Sequence, residues 1–285
     1  PASNRCFTSA PMEYFHTEQG TCCASWLTLS LGEVLFAFLV SLTLWYTIVS
    51  GSETFTETDV LPGVDHLSDG YGQSKYVAEQ LVLEARHRGL PVCILRPGNM
   101  AGCSTSGAWN PNDFVRTLLV GCRRLGGDAG GVVPSGGDIG DWSIDLTPVD
   151  WAARAIVHCV MHPATALGRV YHVQSPHTHV RATEVFAWLK ELGSQPVPVA
   201  QFQHMLEAAA TAEADSAVED KVSPSSVTDA VAVADRNILQ RLFAAYDNFH
   251  YYFFKPPVLK SDQFLHALGP DFDPCPIFDA ALLKK

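Results

Sequence analysis

At 285 residues, the chain is long enough to bury a large core and to form one or two domains. Its hydrophobic content of 47% is that of an ordinary globular protein. A formal charge of -11, with no basic stripe to offset it, argues against contact with a phosphate backbone and hence against nucleic acid as a partner.

Residues 1–33 show no convincing period and read as an atypical N-terminal segment. They carry no recognisable cleavable signal peptide. From Val34 to Ser52 no charge interrupts 19 residues, which is long enough for a membrane span. The same run suits a buried parallel strand, because such strands are continuously apolar. Trp45, Tyr46, Thr47, Ile48 and Val49 favour strand, and Ser, Thr and Gly recur through the run. A buried strand is therefore expected, with a single-pass membrane helix or a segment without native fold as the alternatives.

The next element is an amphipathic helix from about Gly72 to Arg88. Val77, Ala78, Leu81, Val82 and Ala85 form its apolar stripe. Lys75 with Glu79, and Glu84 with Arg88, are spaced as exposed i,i+4 pairs, and Gly89 is placed as a left-handed cap. Tyr71 and Lys75, also four residues apart, lie on one face of this helix. An ammonium beside a phenol stabilises the phenolate and lowers a pKa that is ordinarily about 10. A tyrosine tuned in this way can exchange a proton with a carbonyl oxygen near neutral pH. Lys75 has donors to spare for a ribose hydroxyl.

A two-residue link leads to a short buried strand, Val92 to Leu95, completing a β-α-β pattern. Arg96-Pro97-Gly98-Asn99 follows at the edge where open parallel sheets bind ligands. Pro97 removes a donor, and Gly98 admits a flat ring close to the backbone. Asn112 or Asp113 can cap a helix to about Arg124, and Asp150 one from Trp151 to Met161. Gly168 to Val173 reads as the next buried strand. Gly126 to Gly131 is glycine-rich but follows a helix, so it reads as a mobile loop. His172, His177 and His179 come without a cysteine or a placed carboxylate, so a strand end is expected there and no metal. Eight cysteines without Cys-x-x-Cys spacing read as thiols of a reducing, cytoplasmic compartment.

The last third is mixed. Ala182 to Leu192 reads as a helix. Residues 206–235 are rich in Ala, Ser, Asp and Glu; part of the stretch can be helical, but the composition is weakly foldable and a flexible insertion is expected. Helical spacing returns from Asn237 to Tyr252, and Ser261 or Asp262 can cap a short helix to Leu268.

The pieces Gly70-Tyr71-Gly72-Gln73-Ser74-Lys75-Tyr76-Val77-Ala78-Glu79, Leu95-Arg96-Pro97-Gly98-Asn99, Asn112-Asp113-Phe114, Thr147-Pro148-Val149-Asp150 and Gly168-Arg169-Val170-Tyr171-His172-Val173 stand together in order. In this arrangement the chain resembles the extended short-chain dehydrogenase/reductase superfamily. Within it the pieces are most similar to the thioester reductase domains of nonribosomal peptide synthetases, aminoadipate reductases and carboxylic acid reductases. The resemblance implies an α/β fold, a partial Rossmann-like doubly wound parallel sheet with a mainly helical C-terminal substrate subdomain. The corresponding divisions are a reductase core over 34–175 and a substrate subdomain over 176–285.

The resemblance also implies chemistry. NADPH would deliver hydride to an acyl thioester on the phosphopantetheine arm of an acyl or peptidyl carrier protein, giving an aldehyde or alcohol. Tyr71 and Lys75 would be catalytic, and Lys75, Arg96, Pro97, Gly98 and Asn99 would contact the cofactor. A Ser or Thr at the end of the strand before the tyrosine helix completes the family's triad. Ser41, Thr43, Thr47 and Ser50 compete for this place; family spacing favours Thr43, with Ser50 as the alternative. The family's glycine-rich phosphate turn lies further upstream of the tyrosine than this chain reaches. An N-terminally truncated domain with weak or absent NADPH binding is therefore expected. A free-substrate reductase or epimerase of the same superfamily, and a noncatalytic interaction module, are the other readings.

Overall fold

The structure is a computed structural model that describes residues 37–40, 54–59, 70–127, 130–136, 143–177, 179–216, 231, 235–253 and 258–284. Its elements begin with β1 Ala37–Val40, β2 Thr54–Phe55, α1 Gly70–His87, β3 Val92–Pro97, β4 Met100–Ala101, α2 Phe114–Arg124 and β5 Val132–Ser135. There follow β6 Ser143–Ile144, β7 Thr147–Pro148, α3 Val149–Met161, α4 Pro163–Ala166, β8 Val170–Val173, β9 Val180–Arg181 and α5 Ala182–Glu191. The last are β10 Gln195–Pro198, α6 Val199–Ser216, α7 Ile238–Phe253, β11 Val258–Leu259, α8 Asp262–Leu268 and α9 Ala280–Leu283.

Every residue of β3 is buried, as a central parallel strand demands. It pairs in parallel with β1 on one side, Ala37 opposite Val92, and with β8 on the other, Ile94 opposite Val170. The expected strand between Val34 and Ser52 is thus present over Ala37–Val40, and the remainder of that run lies outside the described residues. No described helix is long and apolar enough to cross a membrane.

Helix α1 lies against β1 and β3 and ends at Gly89, whose φ of 89° is the left-handed cap its position suggests. On the sheet's β8 side, Trp151, Ala152, Ala155 and Cys159 of α3 join Cys93, Leu95, Tyr171, Phe264 and Leu268 in one core. A second, larger core gathers Val115, Leu118 and Leu119 of α2, Val132 and Val133 of β5, Phe186 and Leu189 of α5, Phe202 and Leu206 of α6, and Leu242 of α7. Packing therefore joins α2 and β5, which precede residue 175, to the helices that follow it. Side chains such as Leu206 and Leu242, with no exposed surface, each contribute roughly 1.5–3 kcal/mol by leaving water.

Three local expectations are corrected. The flexible stretch expected from residue 206 does not begin there, since α6 continues to Ser216 with Phe202, Leu206 and Ala210 buried along one side; residues 217–230 lie outside the described residues. Asp113 does cap α2, accepting from Arg116 N at 3.0 Å, but Asp150 caps nothing. Helix α3 starts at Val149 with no side-chain cap, and the Asp150 carboxylate instead accepts from Ser104 N and Ser104 Oγ, both at 2.7 Å. Finally, α8 follows Ser261, but its acceptor comes from far away in sequence. Glu57 accepts from Gln263 N at 2.7 Å, from Phe264 N at 3.0 Å and from His172 N on β8 at 3.0 Å. Burial holds the Glu57 carboxyl above its usual range, although these three N–H groups pull the other way.

Candidate active site

Glu79 sets the geometry of the Tyr71 helix. It is 1% exposed, and its two oxygens take Arg96 Nη2 at 2.6 Å and Arg96 Nε at 3.1 Å. This buried fork replaces the exposed Lys75–Glu79 pair expected from spacing, whereas the Glu84–Arg88 pair forms on the surface at 2.8 Å. At the other end of α1, Arg86 donates to the carbonyl of Gly168, just before β8. The helix therefore runs antiparallel to β3 and β8. With about 1.5 Å of rise per residue, Lys75 lies about 6 Å beyond Glu79 toward the carboxyl edge of the sheet, and Tyr71 as far again.

Arg96 is committed to Glu79 and is 3% exposed, so its side chain serves the fold, and its backbone lies in the sheet opposite His172. Its Nη1 lies 3.4 Å from His172 Nε2, while His172 Nδ1 lies 2.8 Å from the carbonyl of Lys260. A carbonyl only accepts, so the His172 proton is on Nδ1. Burial, and then the Arg96 charge, push this imidazole down to about 4.

Beyond Arg96 the chain leaves the sheet as Pro97-Gly98-Asn99, and this turn is pinned on several sides. Gly98 N donates to Val173 O at 3.1 Å, and Asn99 O accepts from Thr147 N at 3.0 Å. Asn99 N and Asn99 Nδ2 both donate to Asp145, at 2.9 and 2.6 Å. A Cβ on Gly98 would sit 2.0 Å from Asp145 Oδ2, so glycine is required here by the carboxylate above it.

Residues 13–156 match the NAD-binding domain family described as Male sterility protein. The chain belongs to this family. Among curated relatives, the glycine betaine reductase ATRR of Emericella nidulans is 40% identical over 153 residues, 53% of this chain and 11% of that protein. The L-2-aminoadipate reductase of Schizosaccharomyces pombe is 35% identical over 144 residues, 50% of this chain and 9% of that protein. Of solved structures, the terminal R domain of the myxalamid PKS-NRPS pathway superposes with a TM-score of 0.63 at 33% identity, over 87% of this chain and 55% of that one. The chain thus spans about half of that domain and about a tenth of these two curated relatives. The fold is the Rossmann-like one of the extended short-chain dehydrogenase/reductase superfamily.

A family fold of this kind receives a nicotinamide dinucleotide at the carboxyl edge of its sheet, and the family member described here fits that group in part. The Pro97–Asn99 turn leaves β3 at that edge, and the N-terminal end of α1 points toward it. For the pyrophosphate, which needs a glycine turn leading into a helix, the described residues hold no counterpart. Gly126, Gly127, Gly130 and Gly131 all have positive φ but run from α2 into β5, the reverse order. Thr43, with Ser41, Thr47 and Ser50, lies outside the described residues. His177 Nε2 lies 2.8 Å from the carbonyl of Cys275. Among the described residues no group of three or more His, Cys, Asp or Glu is placed to hold a metal, and the five described cysteines are free thiols.

At the same edge opens a cavity of about 500 Å³, lined by residues that include Leu146, Ser175, His177, His179, Trp188 and Phe278. Its size suits a small ligand or acyl group. Sequence reasoning missed Glu57, Asp145 and the Glu79–Arg96 fork. The single signal for Asp145 was an acid between two apolar residues, Ile144 and Leu146, both buried.

Proposed function

We propose that this chain supplies the proton-donating and acyl-binding half of an NADPH-dependent thioester reductase. The acyl group would arrive on the phosphopantetheine arm of a carrier protein and leave as an aldehyde or, after a second reduction, as an alcohol. The observation that carries the reading is the Glu79–Arg96 fork, which ties α1, the helix whose first turns hold Tyr71 and Lys75, to the end of β3. The printed names of the relatives, reductases and a terminal domain of a peptide synthetase pathway, support the same chemistry.

In this reading Tyr71 gives its phenolic proton to the carbonyl oxygen as negative charge grows there. Lys75 favours the phenolate that remains and holds a ribose hydroxyl. Thr43, or Ser50 in its place, donates a hydrogen bond to the same oxygen. The backbone of Pro97, Gly98 and Asn99 lies along the nicotinamide, and the cavity beside Trp188 and Phe278 takes the acyl chain. When bound, the cofactor supplies hydride. NADPH is preferred to NADH on family grounds.

The reading is tested by joining residues 1–285 to a complete dinucleotide-binding half and supplying one acyl group in two forms. A carrier-bound thioester should be reduced at least about tenfold more efficiently than the free pantetheine thioester, since remote binding energy serves the reacting centre. Equal rates for the two would remove the carrier from the account. Turnover of neither, with turnover of a sugar nucleotide or free ketone, would favour a free-substrate reductase.

A further inference from the structure

We propose that Asp145 is a positioning residue for the nicotinamide, acting through Asn99; the proposal rests on the reductase reading above. Asp145 touches no reacting atom in this account. It is 4% exposed, held just beyond β6, a strand that pairs antiparallel with β9. Burial pushes its carboxyl above the usual range, while nearby His179 and two donors from a single residue, the backbone N–H and the side-chain amide of Asn99, pull it back.

Two consequences follow for the cofactor edge. Asn99 Nδ2 donates to Asp145 Oδ1, so the NH₂ of Asn99 faces Asp145. That leaves Oδ1 as the side-chain atom Asn99 can turn to a ligand, and an acceptor suits the N–H of a nicotinamide carboxamide. Second, Oδ2 fills the space above Gly98 and fixes the height of the turn, while Thr147 N holds Asn99 O from the other side. Thr147 Oγ1 in turn accepts from Ser175 N at 2.7 Å, and Ser175 lines the acyl cavity. One network thus ties the turn expected to meet the nicotinamide to the wall of the cavity expected to hold the acyl group.

A structural role alone predicts that losing the carboxylate lowers stability and leaves ligand preference unchanged. Asp145→Asn separates the two, because it keeps size and one acceptor but sets an NH₂ against the NH₂ of Asn99. Adding Asn99→Asp restores complementarity, with the carboxamide of the new Asn accepting from the residue 99 backbone and donating to the new carboxylate. Reduced nicotinamide mononucleotide needs no pyrophosphate or adenine site, so it is the probe for the 285-residue chain, followed by its own fluorescence, with thermal unfolding measured in parallel.

Saturable binding by the wild type is expected. Asp145→Asn should bind about tenfold to a hundredfold more weakly, because Asn99 Oδ1 then turns to the new NH₂ and is lost to the ligand, a drop beyond what any fall in melting temperature accounts for. The double variant should recover most of the difference. Equal binding by all three, or a loss that tracks the melting temperature, would overturn the role of Asp145 alone. Absence of binding by the wild type would overturn the nicotinamide edge itself, and Asp145 with it.

Discussion

Tyr71→Phe, made in residues 1–285 joined to a complete dinucleotide-binding half, should lower turnover of a thioester by at least a hundredfold. A positioned general acid contributes about 10²–10⁴-fold, and phenylalanine removes the acid while keeping the ring. The loss should fall on kcat, with the KM for NADPH little changed, because the missing hydroxyl would face the substrate. Steady-state kinetics with each substrate varied in turn make the distinction. Equal turnover in variant and wild type would mean that the Tyr71–Lys75 pair is only a helix surface.

Glu79→Ala should cost about 3–5 kcal/mol of stability, because it leaves the Arg96 guanidinium buried without its partner. The neighbouring His172 can accept one long hydrogen bond from Arg96 at 3.4 Å, but its neutral ring, pushed down to about 4 by burial and Arg96, supplies no negative charge in place of Glu79. Glu84→Ala is the internal control. It breaks a single ion pair of similar length, 2.8 Å to Arg88, but with the two side chains 53% and 75% exposed, where a pair is worth at most about 1 kcal/mol. Urea denaturation of the three proteins checks both values. Replacing the pair together, as Glu79→Leu with Arg96→Met, should recover most of the loss, since an apolar pair of similar volume often matches a buried ion pair. A small effect of Glu79→Ala would show that α1 is not held against β3 by this fork, and the placement of Tyr71 and Lys75 would lose its support.

The elements that were legible in the sequence are those whose signal is local. Helix α1 announces itself by a 3.6-residue stripe and Gly89, and β3 by an unbroken apolar run. The Tyr71–Lys75 spacing needs only helix geometry to be read. What could not be read depends on partners distant in the chain. Glu79 has Lys75 four residues away, but spacing along one helix cannot reveal that Arg96 approaches from the neighbouring strand. Glu57 joins β8 to α8 across more than a hundred residues, and a lone acid after a two-residue strand carries no pattern. Asp145 meets the same difficulty, because nothing near it in the chain points to Gly98, 47 residues back. Helix α6 was misjudged for another reason. Its Ala- and Glu-rich second half has the composition of a weakly foldable stretch, yet alanine is the best helix former, and Phe202, Leu206 and Ala210 recur at the spacing of a buried face.

The central claim is that this edge reduces a thioester with a nicotinamide hydride. The most direct measurement follows the label from C4-deuterated NADPH in the joined protein, with an acyl thioester as substrate and mass spectrometry of the released product. The account expects deuterium on the former thioester carbon of an aldehyde or alcohol, with NADPH consumed in proportion. Release of the unlabelled carboxylic acid, with NADPH untouched, would contradict it.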